Sequence, residues 1–155
     1  MKLLSISLLF LATLGRCTPG AVSGERLPDA AIIRMGTSFG MCNGYCRKDY
    51  AVNGSSLTLT ASSHTPAQYP TKTCQTMISQ ESWNSLKDLV NPDTFNKLPE
   101  RLGCPDCADG GAEYIEIELN DQRHRVTFEY GQTIPGFESL VNALRTQRER
   151  LPECK

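Results

Sequence analysis

The sequence predicts an α+β fold: an antiparallel sheet built from two hairpins plus a flanking strand, covered by two main helices and stabilised by disulfides. Three observations carry this. Two stretches of alternating apolar and polar residues are each broken by a turn signal, later stretches repeat apolar residues at helical spacing, and no βαβ unit recurs.

The run Ala30 to Met35 is short and β-leaning and predicts a first strand. Asn53-Gly54 lies between Tyr50-Ala51-Val52 and Leu57-Thr58-Leu59-Thr60. Asn-Gly suits a two-residue type I′ turn, in which both central residues need positive φ, so the flanking runs pair with Tyr50 facing Leu57. Leu57 and Leu59 then share the face of Tyr50, while Thr58 and Thr60 point away. Lys72 to Ile78 extends the meander. Ser79 caps a helix bearing Trp83, Leu86, Leu89 and Val90 at helical spacing. Asn91-Pro92 ends it and opens a short second helix through Phe95 and Leu98.

Glu113 to Leu119 and His124 to Tyr130 form the second hairpin. A tight turn at Asp121-Gln122 sets Ile117 opposite Val126, Ile115 opposite Phe128 and Glu118 opposite Arg125, with apolar pairs on one face and the charge pair on the other. A last helix places Phe137, Leu140, Val141, Leu144 and Leu151 on one stripe and Arg145, Arg148 and Arg150 on the remainder.

The N-terminal residues set the expected compartment. Met1-Lys2 is basic, Leu3 to Leu14 is almost wholly apolar, and the run stops at Gly15-Arg16-Cys17, the layout of a signal peptide. It falls short of the roughly 20 apolar residues of a membrane span. A lipoprotein-type cut makes residues 1–16 the signal peptide and Cys17 a candidate lipidation site, although Arg16 departs from the small residue that such a cut prefers. An ordinary cut after Ala21-Val22-Ser23 makes the signal peptide residues 1–23. Residues 17–29 are expected as a flexible leader and 30–155 as one α+β domain. The chain is therefore expected to be exported: a periplasmic or outer-envelope lipoprotein, or a secreted protein.

Export gives the cysteines a role. Of seven, either route removes Cys17 from the thiol pool, leaving Cys42, Cys46, Cys74, Cys104, Cys107 and Cys154 as candidate disulfide residues. Local pairing gives Cys42 with Cys46 and Cys104 with Cys107, leaving Cys74 with Cys154. Sixteen basic against seventeen acidic residues, a net charge of -1, argue against nucleic-acid binding. Without a polybasic cluster, membrane contact is expected only through a lipid anchor. The 39% hydrophobic content is that of a folded domain.

Catalytic chemistry has few candidates. Gly103-Cys104-Pro105-Asp106-Cys107 contains a Cys-x-x-Cys, and a thiol-disulfide exchange protein would use Cys104 to attack and Cys107 to resolve. Such a thiol needs a helix N-terminus, and here the motif runs into Ala108-Asp109-Gly110-Gly111 instead. Cys42, Cys46, Cys104 and Cys107 also have spacing compatible with structural zinc, against which oxidation competes. Asp106, Asp109 and Glu113 lack the calcium-loop pattern and read as a solvated acidic loop. His64 lies in a Pro-rich loop, and His124 reads as a satisfied, half-buried histidine or hairpin-end residue. No nucleophile, zincin or phosphate-loop motif accompanies them. The sequence therefore names no catalytic residue, no metal ligand and no cofactor. It leans to a non-enzymatic domain that binds an unidentified protein or small molecule.

Cys42-Asn43-Gly44-Tyr45-Cys46, followed by a strand, Asn53-Gly54 and Leu57-Thr58-Leu59, resembles a family of uncharacterised exported bacterial domains that open with Cys-Phe-Gly-x-Cys-Pro-x-Tyr and a tight glycine hairpin. Asn43 stands in place of Phe, Arg47 in place of Pro, and one extra residue precedes Tyr50. Gly103 to Gly111 looks like the hallmark of a subgroup. The resemblance implies export and an α+β fold, and brings no catalytic residue.

Overall fold

A computed structural model describes residues 26–149. One six-stranded, wholly antiparallel sheet runs in the order β4-β3-β2-β1-β5-β6. Its strands are β1 (Ile32–Ser38), β2 (Arg47–Asn53), β3 (Ser56–Ser62), β4 (Lys72–Met77), β5 (Ala112–Leu119) and β6 (Gln122–Glu129). The helices are α1 (Gln80–Asp88), α2 (Pro92–Phe95) and α3 (Glu138–Glu149). The α+β class and its disulfides hold. Among the described residues no helix is long and apolar enough to cross a membrane.

The first strand lies at the centre of the sheet, between the two hairpins, and β4 extends the meander at one edge. Ile33 faces Val52 on one side and Ile117 on the other, and Met35 lies between Tyr50 and Ile115. Both side chains are fully buried. Pairing between distant segments has no local sequence signal, so strand order could not be read from the runs themselves.

Both hairpins form with their turns one residue away from the expected positions. In the first, Asn53 pairs with Ser56, so Tyr50 faces Leu59 and Val52 faces Leu57. Gly54 alone has positive φ at this turn, 57°. That matches a type II′ turn with glycine at its first central position. In the second, Leu119 pairs with Gln122, so Ile117 faces His124, Ile115 faces Val126, and Arg125 faces Glu116 instead of Glu118. Asn120 and Asp121 both have positive φ, 52° and 62°, a left-handed conformation that Asn and Asp tolerate. Moving a turn by one residue moves each cross-strand partner by two. The apolar and polar faces therefore match the expected ones while the registers differ.

The covered face carries Ile33, Met35, Val52, Leu57, Ile115, Val126 and Phe128. Ser79 caps α1 by accepting the Ser82 N–H, and Asn91 caps α2 by accepting the Thr94 N–H. These caps aim Trp83, Leu86 and Phe95 into the core, where each large side chain contributes about 1.5–3 kcal/mol. From α3 come Leu140, Val141 and Leu144; Leu151 lies outside the described residues. Leu27, placed in the leader by composition, is buried in the same cluster. Its neighbours hold it there: Arg26 pairs with Asp88 at 2.6 Å, and Asp29 pairs with Lys87.

The other face is a charge lattice. Arg34 bridges Glu116 (3.0 Å) and Glu118 (2.6 Å), Arg125 reaches Glu116 (2.8 Å), and Arg123 reaches Glu118 (2.8 Å). Tyr114 crosses the central strand to donate its hydroxyl proton to Asp49 at 2.6 Å. Its path lies over Gly36, where a Cβ would stand 2.2 Å from the ring. Burial, then the hydrogen bond to Asp49, raises the Tyr114 pKa.

Gly36→Ala should cost about 1–3 kcal/mol in urea unfolding by overpacking, and adding Tyr114→Ser should recover part of the loss. The ion pairs set the acid response. Lys87 lowers the Asp29 pKa from 3.8, and Arg34, assisted by Arg123, lowers that of Glu118 from 4.5. A depressed folded-state pKa gives stability that is present above the unfolded value and is lost as pH falls through the folded one. Unfolding midpoints should hold above about pH 5 and decline progressively in more acidic solution, with a shallower decline in Glu118→Gln.

Candidate functional site

Four strand ends meet on one side of the sheet: β1 leaves there, β2 enters, β5 enters and β6 leaves. The β1–β2 loop carries one cystine, Cys42–Cys46, and the segment that leads from α2 into β5 carries another, Cys104–Cys107. These are the two local pairings expected from spacing. Cys74 on β4 is disulfide-bonded as well, and Cys154, its expected partner, lies outside the described residues, as does the candidate lipidation site Cys17.

Phe39 joins the two cystine loops. Its N–H donates to the Cys46 carbonyl (3.1 Å), and its own carbonyl lies 3.1 Å from His64 Nε2. The next residue, Gly40, donates to Asp106 of the second loop at 3.4 Å. The Phe39 ring packs edge-to-face on Tyr130, with centroids 4.9 Å apart. It lies so close to the Gly111 backbone that a Cβ there would stand 2.4 Å away, and Gly111 has φ of 81°. Only glycine fits both demands.

Below this junction lies a groove of about 400 Å³. Phe39, Tyr45, Tyr50 and Tyr130 give it aromatic walls, with Leu59 and Cys46 beneath. Tyr45 is held by its hydroxyl on the Pro70 carbonyl (3.1 Å) and by an edge contact with Tyr69. Polar groups come from Thr37, Lys48, Arg148 and Glu149. Lys48 and Lys72 flank Ala61 on the covered face, and the Lys72 ammonium stands 5.2 Å from the Tyr45 ring centre.

The end of α3 is positioned by a buried carboxylate. Glu113, expected in a solvated acidic loop, is the first covered-face position of β5, and its side chain has no solvent exposure. Arg145 and Arg148 both pair with it, Arg148 at 2.9 Å, and Gly131 donates to it at 3.3 Å. Arg145 also donates to the Gln132 carbonyl at 2.6 Å. The two arginines that helical spacing sets beside the apolar stripe thus turn toward the sheet. Spacing within α3 cannot show this, because the charge they answer lies on a distant strand.

The remaining sequence candidates stay apart from the groove. Cys104 and Cys107 are exposed, and Asp106 leads into a 3-10 turn over Cys107–Asp109 in which Asp106, Ala108 and Asp109 all have positive φ. The Cys104 N–H donates to the Glu129 carboxylate at 2.8 Å. The four sulfurs that a zinc site would need are divided between two cystines. Among the described residues no group of three or more His, Cys, Asp or Glu side chains is arranged to hold a metal ion. His124 faces the other end of the sheet, edge-on to Phe95 with centroids 5.7 Å apart, and its Nε2 is buried without a hydrogen bond.

Sequence reasoning missed Phe39, Tyr45, Lys48, Tyr130 and Arg148 as a group. The available signal was aromatic residues beside the first cysteine pair and directly after the second hairpin. The chain matches no protein-family model and no curated protein sequence.

Removing the buried charge tests the architecture. Glu113→Gln should destabilise the protein by about 3 kcal/mol in chemical unfolding, because two partly buried arginines lose their counter-charge. Arg148→Gln should cost less, since Arg145 still neutralises Glu113.

Proposed function

We propose that this chain is an exported, disulfide-stabilised, non-enzymatic domain of the cell envelope or exterior, and that it works by binding through the aromatic groove. The observation that carries the reading is the groove itself: about 400 Å³, walled by rings and bordered by the Cys42–Cys46 loop. Small-ligand sites are concave, largely apolar and aromatic, of roughly 300–1,000 Å³, with a few polar groups that fix orientation. The cystines favour an oxidising compartment. The apolar run before Cys17 supports export, and the resemblance to exported bacterial domains agrees with it. Cys17 is the proposed lipid anchor if processing takes the lipoprotein route.

Thiol-disulfide exchange at Cys104 has weaker support. A reactive thiolate needs a helix N-terminus or a neighbouring cation, whereas the Cys104 N–H is bound to the Glu129 carboxylate and Asp106 and Asp109 are its sequence neighbours. Negative charge raises a thiol pKa. A zinc module would require both cystines to open.

The test is a thiol, metal and N-terminal analysis of the protein recovered from its native cells. The expected result is a mature N-terminus at Cys17 or Gly24, no free thiol and no zinc. An intact leader with reduced thiols contradicts export. A selectively reduced Cys104–Cys107 pair favours exchange, and stoichiometric zinc favours the metal module.

A further inference from the structure

The groove is unevenly charged. Among the described residues, Lys48 and Arg148 line it against one carboxylate, Glu149, Lys72 stands over Tyr45, and the buried Glu113 is paired with Arg145 and Arg148. Lys48 is a half-buried residue that lines the groove with the aromatic rings and, among the described residues, makes no ion pair. An ammonium without a counter-charge, set in an aromatic-walled groove, offers a bound anion a complementary partner. The rings answer a different part of a ligand. Phe39 and Tyr130 are locked together edge-to-face, and Tyr45 is fixed at its hydroxyl, so flat aromatic surface is presented at little entropic cost.

From these placements we propose that the groove binds a small ring-bearing carboxylate, with the ring against Phe39, Tyr45 and Tyr130 and the carboxylate on Lys48. This deepens the binding-domain reading and rests on it. Arg148 contributes field and shape, because its guanidinium is already engaged by Glu113. Glu149 disfavours a second anionic group and so selects for a single negative charge. The ring can be a saccharide or an aromatic one, since both offer a flat apolar face.

The experiment is a titration of the oxidised mature protein, followed by amide NMR shifts, with glucuronate, 4-hydroxybenzoate and their neutral counterparts glucose and phenol. At least one acid should give saturable shifts at Phe39, Tyr45 and Tyr130, with its neutral counterpart at least about tenfold weaker. Lys48→Gln should weaken the acid by about tenfold and leave the neutral compound unchanged, while Lys48→Arg retains most of the affinity. Added salt should weaken the acid alone, a readout that needs no variant. The ring class of the acid that binds distinguishes the two sources. Equal binding of acid and neutral compound would overturn the charge assignment while leaving the groove a binding site. An absence of groove shifts with all four compounds would overturn the inference and count against the broader reading. Thiol and N-terminal analysis separates these failures from a failure of export.

Discussion

The structure depends on one shared strand. Each hairpin is a local unit that its own turn can close, but neither has enough apolar surface to stand alone. β1 lies between them and pairs with β2 on one side and β5 on the other, so Ile33 and Met35 become the centre of a single covered face. The same pairing fixes Gly36 between Asp49 and Tyr114 on the opposite face, where absence of a side chain lets the tyrosine cross. It also brings the two cystine loops, remote in sequence, to one end of the sheet. The groove is a consequence of that convergence.

A second constraint ties helix to sheet. Glu113 would be costly inside the protein without partners. Arg145 and Arg148, three residues apart on α3, lie close enough on the helix surface to reach it together. Their pairing fixes the rotation of α3 at its last turn, and this places Arg148 and Glu149 on the groove rim. The polar face of the sheet answers to the same logic on a milder scale: alternating Arg and Glu across β1, β5 and β6 supply register-specific pairs on the face turned away from the core.

Much of this was legible from residue order. Alternation placed Leu57, Leu59, Ile115 and Ile117 on the correct face, Ser79 and Asn91-Pro92 marked the helix starts, and cysteine spacing matched two cystines. The features that stayed hidden depend on contacts between distant segments. Turn centres shifted because Gly54-Ser55 and Asn120-Asp121 satisfy tight-turn geometry as well as the pairs one residue away. The centrality of β1 and the burial of Glu113 need the partner strand and the partner helix, which no window of sequence contains. Leu27 was obscured by its Pro- and Gly-rich neighbourhood, and the groove by the separate segments that line it.

Native-state hydrogen exchange of the oxidised protein tests the central role of β1 most directly. If β1 joins the hairpins, the amides of Met35 and Gly36 should exchange only through global unfolding, at the same free energy as Ile115 and Ile117 on β5, with the edge strand β4 opening earlier. Exchange of β1 ahead of β4 would contradict this, for it would mean that the two hairpins hold together without the strand assigned to join them.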